Sequence, residues 1–336
     1  MKCKLCQNHD ADKKNTHYLT DKIIRSCLNV DGVNDREKGF TFDMSTGNPF
    51  IGFGFQRETS PELVEKALGR EPTNEEIQEA KKNAFSVDYV FCKSCEDRFT
   101  AIEQEFIDTI LDKLRGHDFK GIPDISFSEK IIIKKFFLMQ VWRTSVSIEG
   151  FPLSDSLKED LRKIIFEANI DDSLVISVPL TVTYLNTVGD DSEFTKNLVG
   201  HGNIEGSPVI FFNDFVIQVF EKDRDAKFIE LYGINDEVTF QKYINKDEDA
   251  FTFRIFDNES RLRFSGEYFR QEKVGSTLSF FAKIFEKQYA AFYGHNPTKQ
   301  IVKDFLNGIT TGDDCTEETR YSMERFVIFT NKYFEG

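Results

Sequence analysis

Apolar residues recur at three- and four-residue steps in Phe99, Ile102, Phe106, Ile110 and Leu114. That stripe predicts a long amphipathic helix opening near Cys95. A second helix, from about Glu129 to Ser147, contains FFLMQVW and is apolar on most sides, so it is expected to be buried. A third is expected from about Leu157 to Ala168, capped by Ser154 or Ser156. Ahead of these, residues 28–58 are rich in Gly, Phe, Asn and Asp and lack helical periodicity, which reads as short strands and loops. Two short helices are expected next. One follows Ser60-Pro61, and the other follows Thr73, with Glu76 completing a capping box. Residues 117–127, with Gly121 and Pro123, read as a loop.

The pattern changes near Asp171. SLVISVPLTVTYL, SPVIFF, FVIQVFE, AKFIELYG, AFTFRIFD and RLRFSGEYF are rich in Val, Ile, Phe and Thr, and read as strands. Asn213-Asp214 between two of them is a two-residue hairpin signal. Strands in series without intervening helices predict an antiparallel sheet. Helices return from about Ser276, at Pro297 to Leu306, and from Thr316 to Tyr333. The fold class expected is α+β: an N-terminal module with helices over 1–116, then an antiparallel β-rich region and C-terminal helices over 117–336.

Composition adds a core and a location. Phe supplies 35 of 336 residues against one Trp and ten Tyr, enough rings for a large packed interior. No apolar run approaches the roughly 18 residues of a membrane helix, and MKCKLCQNHD lacks the apolar stretch of a secretory signal. The expectation is a cytoplasmic protein without membrane association. There thiols stay reduced, so paired cysteines point to metal before disulfide. The net charge of −14 disfavours non-specific nucleic-acid binding. Residues 1–150 hold 22 Lys and Arg against 25 Asp and Glu, so the remainder carries −11 of that charge. If any part meets nucleic acid, the near-neutral front is the better candidate.

The candidate chemistry is in the cysteines. Cys3-Lys-Leu-Cys6 and Cys92-Lys-Ser-Cys95 are two CxxC pairs with 85 residues between them. A two-residue gap turns both thiolates of a pair toward one ion, and two pairs complete the four sulfur ligands of a closed Zn²⁺ site. Such a long gap means that the ion joins distant segments. A redox dithiol needs a pair between the strand and helix of a βαβ unit, and neither pair has that setting. Cys27 and Cys315 lack a partner at such spacing and read as ordinary apolar thiols.

With the second pair opening a helix, the order resembles the treble clef of zinc-containing HNH (ββα-metal) nucleases. That resemblance covers roughly residues 1–110. It implies structural zinc on Cys3, Cys6, Cys92 and Cys95, with His17 as the hairpin histidine that deprotonates water. THYLTDKII stands where the family often has a DHIIP-like string. A separate Mg²⁺ or other divalent ion would stabilise the leaving phosphate oxygen. Thr16 stands where the family commonly has a metal-binding acid, Glu96 where it usually has Asn, and no His follows Cys95 in its helix. Glu103 and Glu105 are the acids that helix offers instead. Bacterial proteins with such a front end resemble components of defence systems.

Two functions remain open at this stage. One is an HNH-like metal-dependent nuclease that meets nucleic acid through its N-terminal module. The other is a non-enzymatic zinc-stapled interaction or sensor protein with a protein partner, in which His17 is structural. His9 reads as a solvated loop residue, His201 and His295 as local hydrogen-bonders at Gly-bearing turns, and GFGF at 52–55 lacks the frame of a phosphate loop.

Overall fold

The computed structural model describes residues 1–25, 40–43, 52–55, 62, 65, 70–79, 85–187, 198–204, 207–221, 240–246, 249–268, 273–312, 315 and 320–335. The chain divides into two compact units, one of residues 1–45 with 53–264 and one of 46–52 with 265–336. The division at 116/117 read from the sequence falls inside the first unit. The reason is a set of contacts that cross it: Arg115 pairs with Asp214, Lys113 pairs with Glu129, and Phe106 stacks on Phe136.

The first unit is built around the apolar helix anticipated from FFLMQVW, which spans Lys130–Ser147. With apolar residues on every side it can only be central, and Phe136, Phe137, Leu138, Met139, Val141 and Trp142 are all buried. Each such ring or branched chain contributes roughly 1.5–3 kcal/mol by leaving water. On one side this helix packs against Lys93–Phe106, Phe106 stacking on Phe136 at 3.9 Å. The Lys93–Phe106 helix continues through a π-helical turn, Ile107–Leu111, into Asp112–Leu114. On other sides the central helix meets Asp155–Phe166 and Asp172–Ser177, and it packs on the sheet, where Phe137 lies 5.2 Å from Phe215 and 5.9 Å from Phe253.

Among the described residues that sheet has eight strands. In chain order these are β2 (Phe40–Asp43), β3 (Gly52–Phe55), β5 (Asp124–Phe127), β6 (Leu180–Leu185), β7 (Leu198–Ile204), β8 (Ser207–Phe212), β9 (Phe215–Val219) and β10 (Phe251–Phe256). Their order across the sheet is β3-β2-β7-β8-β9-β6-β10-β5. The expected hairpin at Asn213-Asp214 is present between β8 and β9, with Phe212 facing Phe215 and Asn213 at φ 59°. The sheet is mixed rather than antiparallel, because β2 runs parallel to β7 and β6 parallel to β10. A separate two-stranded ribbon pairs β1 (Thr16–His17) with β4 (Ser86–Val87).

Three expectations are corrected. Residues 124–127, read as loop, form the edge strand β5 because β10 offers them an antiparallel partner. Of RLRFSGEYF, read as a strand, residues 261–268 lie in the helix Asn258–Tyr268, opened by Asp257, whose carboxylate accepts the Ser260 N–H at 3.0 Å. SLVIS is likewise the helix Asp172–Ser177, capped by Asp171. The segment AKFIELYG and Cys27 lie outside the described residues, as does the stretch after Ser60-Pro61 apart from Glu62 and Glu65, which are helical.

One buried cation ties the central helix down. The Lys134 Nζ, within the first unit's interior, donates to the carbonyls of Ile176, Val178 and Asn245, each at 2.7 Å. Burial pulls its pKa down to about 7, while three acceptors at once can be satisfied only by the three N–H bonds of the ammonium.

The second unit has its own core. The helices Gly275–Tyr293, Lys299–Thr311 and Met323–Glu335 enclose Phe281, Phe285, Phe305, Ile309 and Phe326. Among the described residues no helix is long and apolar enough to cross a membrane.

Candidate metal centre

The first cysteine pair sits in a tight turn that its own main chain closes. The Cys3 N–H donates to the His9 carbonyl at 2.9 Å, and the Gln7 N–H donates to the Cys3 carbonyl at 2.9 Å. Gln7 takes a left-handed conformation, φ 59°, to turn both sulfurs inward. The second pair sits at a helix start. Cys92 is the N-cap of Lys93–Phe106, and the N–H groups of Cys95 and Glu96 both point to its carbonyl at 3.1 Å. A helix N-terminus carries partial positive charge and favours thiolate over thiol. The Lys4 N–H reaches the Val90 carbonyl at 3.0 Å, and this main-chain bond brings the two pairs together.

All four sulfurs lie within 4.8 Å of one another and all four residues are buried. Cys6 and Cys92 Sγ are 3.8 Å apart. A disulfide needs about 2.05 Å. A tetrahedron with Zn–S bonds of about 2.3 Å has sulfur–sulfur edges of about 3.8 Å. The donor set therefore fits a tetrahedral ion and not a pair of disulfides. Among the described residues this is the one group of three or more His, Cys, Asp or Glu suited to holding a metal.

Comparison with known protein families, with curated proteins and with solved structures finds no match.

The electrostatics agree with a site that wants a cation. Burial pushes the Cys3 thiol up, and burial together with the neighbouring sulfurs pushes Cys95 up strongly. Burial acts the same way on Cys92, but hydrogen bonds from Ser94 and from the Cys95 main chain outweigh it and hold Cys92 down to about 6. Cys6 is lowered as well: the main chains of His9 and Asn8 outweigh its burial. Four adjacent sulfurs cannot all ionise without a counter-charge, which a divalent ion could supply. Behind them Phe91, Phe99 and Trp142 form an aromatic wall with centroids 5.1–6.2 Å apart. Arg143 stacks on Phe99 at 4.8 Å rather than on its neighbour Trp142.

His17 is separate from the sulfurs' ligand group. It is half-buried on β1, opposite Ser86, with Nε2 3.6 Å from Asp21 Oδ1. The acids named with it are otherwise engaged. Glu96 pairs with Lys13 at 2.9 Å, and Glu103 Oε1 accepts from both Arg143, at 2.5 Å, and Thr20, at 2.8 Å. Glu105 is exposed. His201 lies 5.9 Å from the Phe151 ring, and His295 Nδ1 is 3.1 Å from the Asn296 carbonyl oxygen.

The residue that sequence reasoning missed is His9. Its Nδ1 lies 3.8 Å from Cys6 Sγ and 3.9 Å from Cys92 Sγ, so it borders the centre. Hydrogen bonding to Cys92, reinforced by the nearby sulfur charge, raises its pKa. The available signal was spacing: His9 follows Cys6 by three residues, within reach of a turn that folds back on itself.

Proposed function

We propose that Cys3, Cys6, Cys92 and Cys95 hold one structural Zn²⁺, and that the chain works as a zinc-stapled interaction or sensor protein on a treble-clef, HNH-like front end. The observation that carries this reading is the closed donor set: four buried sulfurs within one coordination distance. A catalytic zinc keeps a position open for water or substrate, whereas four cysteines leave none. The bound ion supplies cross-linking, joining the N-terminal turn to the start of the Lys93–Phe106 helix. The order of turn, β1/β4 ribbon and ligand-bearing helix supports the treble-clef comparison. The partner in this reading is a protein.

A second reading, an HNH-like nuclease of a bacterial defence system, is favoured by one observation, the His17–Asp21 pair at 3.6 Å. In it Asp21 orients the imidazole and His17 takes a proton from water, while Glu96 and Glu103 would hold Mg²⁺ or another divalent ion, which would supply charge neutralisation at the leaving oxygen. Glu96 and Glu103 would have to leave Lys13 and Arg143 to hold that ion, which weighs against it.

The deciding experiment incubates the zinc-loaded chain with single- and double-stranded DNA and RNA in Mg²⁺ or Mn²⁺, alongside His17→Ala. The interaction reading expects intact nucleic acid throughout. Cleavage that the His17→Ala variant loses by 100-fold or more (about the contribution of a general base) establishes the nuclease instead.

A further inference from the structure

The four sulfurs are not equally enclosed. Cys3 is 1% exposed, Cys95 2% and Cys92 3%, whereas Cys6 is 7% exposed. Cys6 and Cys92 also receive the outside polar groups: Ser94 Oγ lies 3.3 Å from Cys92 Sγ, and the His9 ring borders both at 3.8 and 3.9 Å. Since these two sulfurs are themselves 3.8 Å apart, His9 Nδ1 stands over their shared edge at nearly equal distance from each.

That position is built rather than incidental. The His9 carbonyl accepts the Cys3 N–H, so the turn that presents the ligands also fixes the histidine. The next residue, Asp10, is bridged to Lys2 through the main chain, and its carboxylate meets Lys2 Nζ at 3.0 Å. The ring itself is exposed, on the solvent side of an otherwise buried cluster.

We propose that His9 completes the metal centre from outside the coordination sphere: its ring N–H donates to the Cys6 and Cys92 thiolates and covers their solvent-facing edge, setting how readily the ion is withdrawn. This rests on the zinc reading above. Four thiolates around Zn²⁺ leave a net charge of −2, and donors to sulfur disperse it. A neutral imidazole with its proton on Nδ1 is sufficient, so no charged ring is needed. The ion's tetrahedral positions are filled by sulfur, which leaves His9 the donor's role rather than the ligand's. Withdrawal by a chelator or a competing protein begins at the most accessible sulfur, and Cys6, the most exposed of the four, is one of the two His9 guards.

The test compares the full-length chain with His9→Ala, His9→Phe and His9→Asn, each reconstituted with zinc. Elemental analysis gives the bound metal, and the spectrum of the Co²⁺-substituted forms reports the ligand set. Transfer of zinc to a chromogenic chelator gives the rate of withdrawal. The expectation is an unchanged four-sulfur Co²⁺ spectrum in every variant. His9→Ala and His9→Phe should accelerate transfer about 10-fold or more, in the range found for lost outer partners of a metal site. Asn places an amide N–H where Nδ1 stands, so His9→Asn should stay near the parent rate. Equal rates in all four proteins overturn the proposal, as does a His9→Phe variant as slow as the parent, which would leave only bulk. A changed Co²⁺ spectrum in His9→Ala overturns it too, because the histidine would then be a ligand. If the parent chain takes up no zinc, the underlying zinc reading fails, and that outcome is distinct from all of these.

Discussion

Asp214 sits at the tip of the β8–β9 hairpin, where a side chain would ordinarily meet water, yet it is 1% exposed. Both carboxylate oxygens accept from Arg115, at 2.7 and 3.0 Å, and that guanidinium also bonds the Ile23 carbonyl. Asn213 beside it donates to the carbonyls of Ile23 and Ile24. The dipeptide that announces a turn in the sequence is thus also the anchor for the helix Asp21–Arg25. Its turn role was legible because Asn accepts the left-handed conformation cheaply. Its ion pair was not, because Arg115 is 99 residues away. Removing one member strands a buried charge. Asp214→Ala is expected to cost about 3–5 kcal/mol, read from the midpoint of urea unfolding, and an unshifted midpoint would contradict the pairing.

At the scale of elements, local signals decided more than β propensity did. The sequence left Ser154 and Ser156 as alternative caps. The structure selects Ser154, whose Oγ accepts the Leu157 N–H at 3.3 Å, while Ser156 lies inside Asp155–Phe166 and is exposed. Ser154→Ala should therefore lower stability by about 1 kcal/mol, and Ser156→Ala should leave it nearly unchanged. Thermal melts of the two variants check the assignment, and the reverse order would refute it. The helix Asn258–Tyr268 teaches the same lesson from a mistake. Its residues alternate like a strand, but Asp257 and Glu259 supply a cap and a first-turn acid, and an N-terminus once nucleated propagates. The edge strand β5 is the opposite case, because nothing in Asp124–Phe127 marks it and only the free edge of β10 makes it a strand.

For the whole molecule, the zinc reading turns a local site into a global constraint, since Cys3 and Cys6 at one end of the first unit's sequence are held to Cys92 and Cys95. Structural zinc contributes roughly 10–16 kcal/mol in small peptides. Thiolates would hold the ion and thiols would not, so bound zinc is favoured at neutral and mildly alkaline pH and lost as pH falls. Zinc content is expected to decline on acidification, with a lowered thermal midpoint that added Zn²⁺ restores at neutral pH. A midpoint indifferent to a strong chelator would argue against a structural ion. The four-cysteine cluster was legible in the chain: two CxxC pairs mark a candidate metal site at any separation, because geometry within each pair is local. The buried helix of Lys130–Ser147 was equally declared, by apolar residues on all its faces. The partners of those elements were not. That His9 borders the sulfurs, that Glu103 is taken by Arg143 and Thr20, and that the sheet carries parallel pairs all depend on approaches between residues dozens of positions apart. Such approaches follow from how the elements pack together, and no short window of sequence encodes that packing.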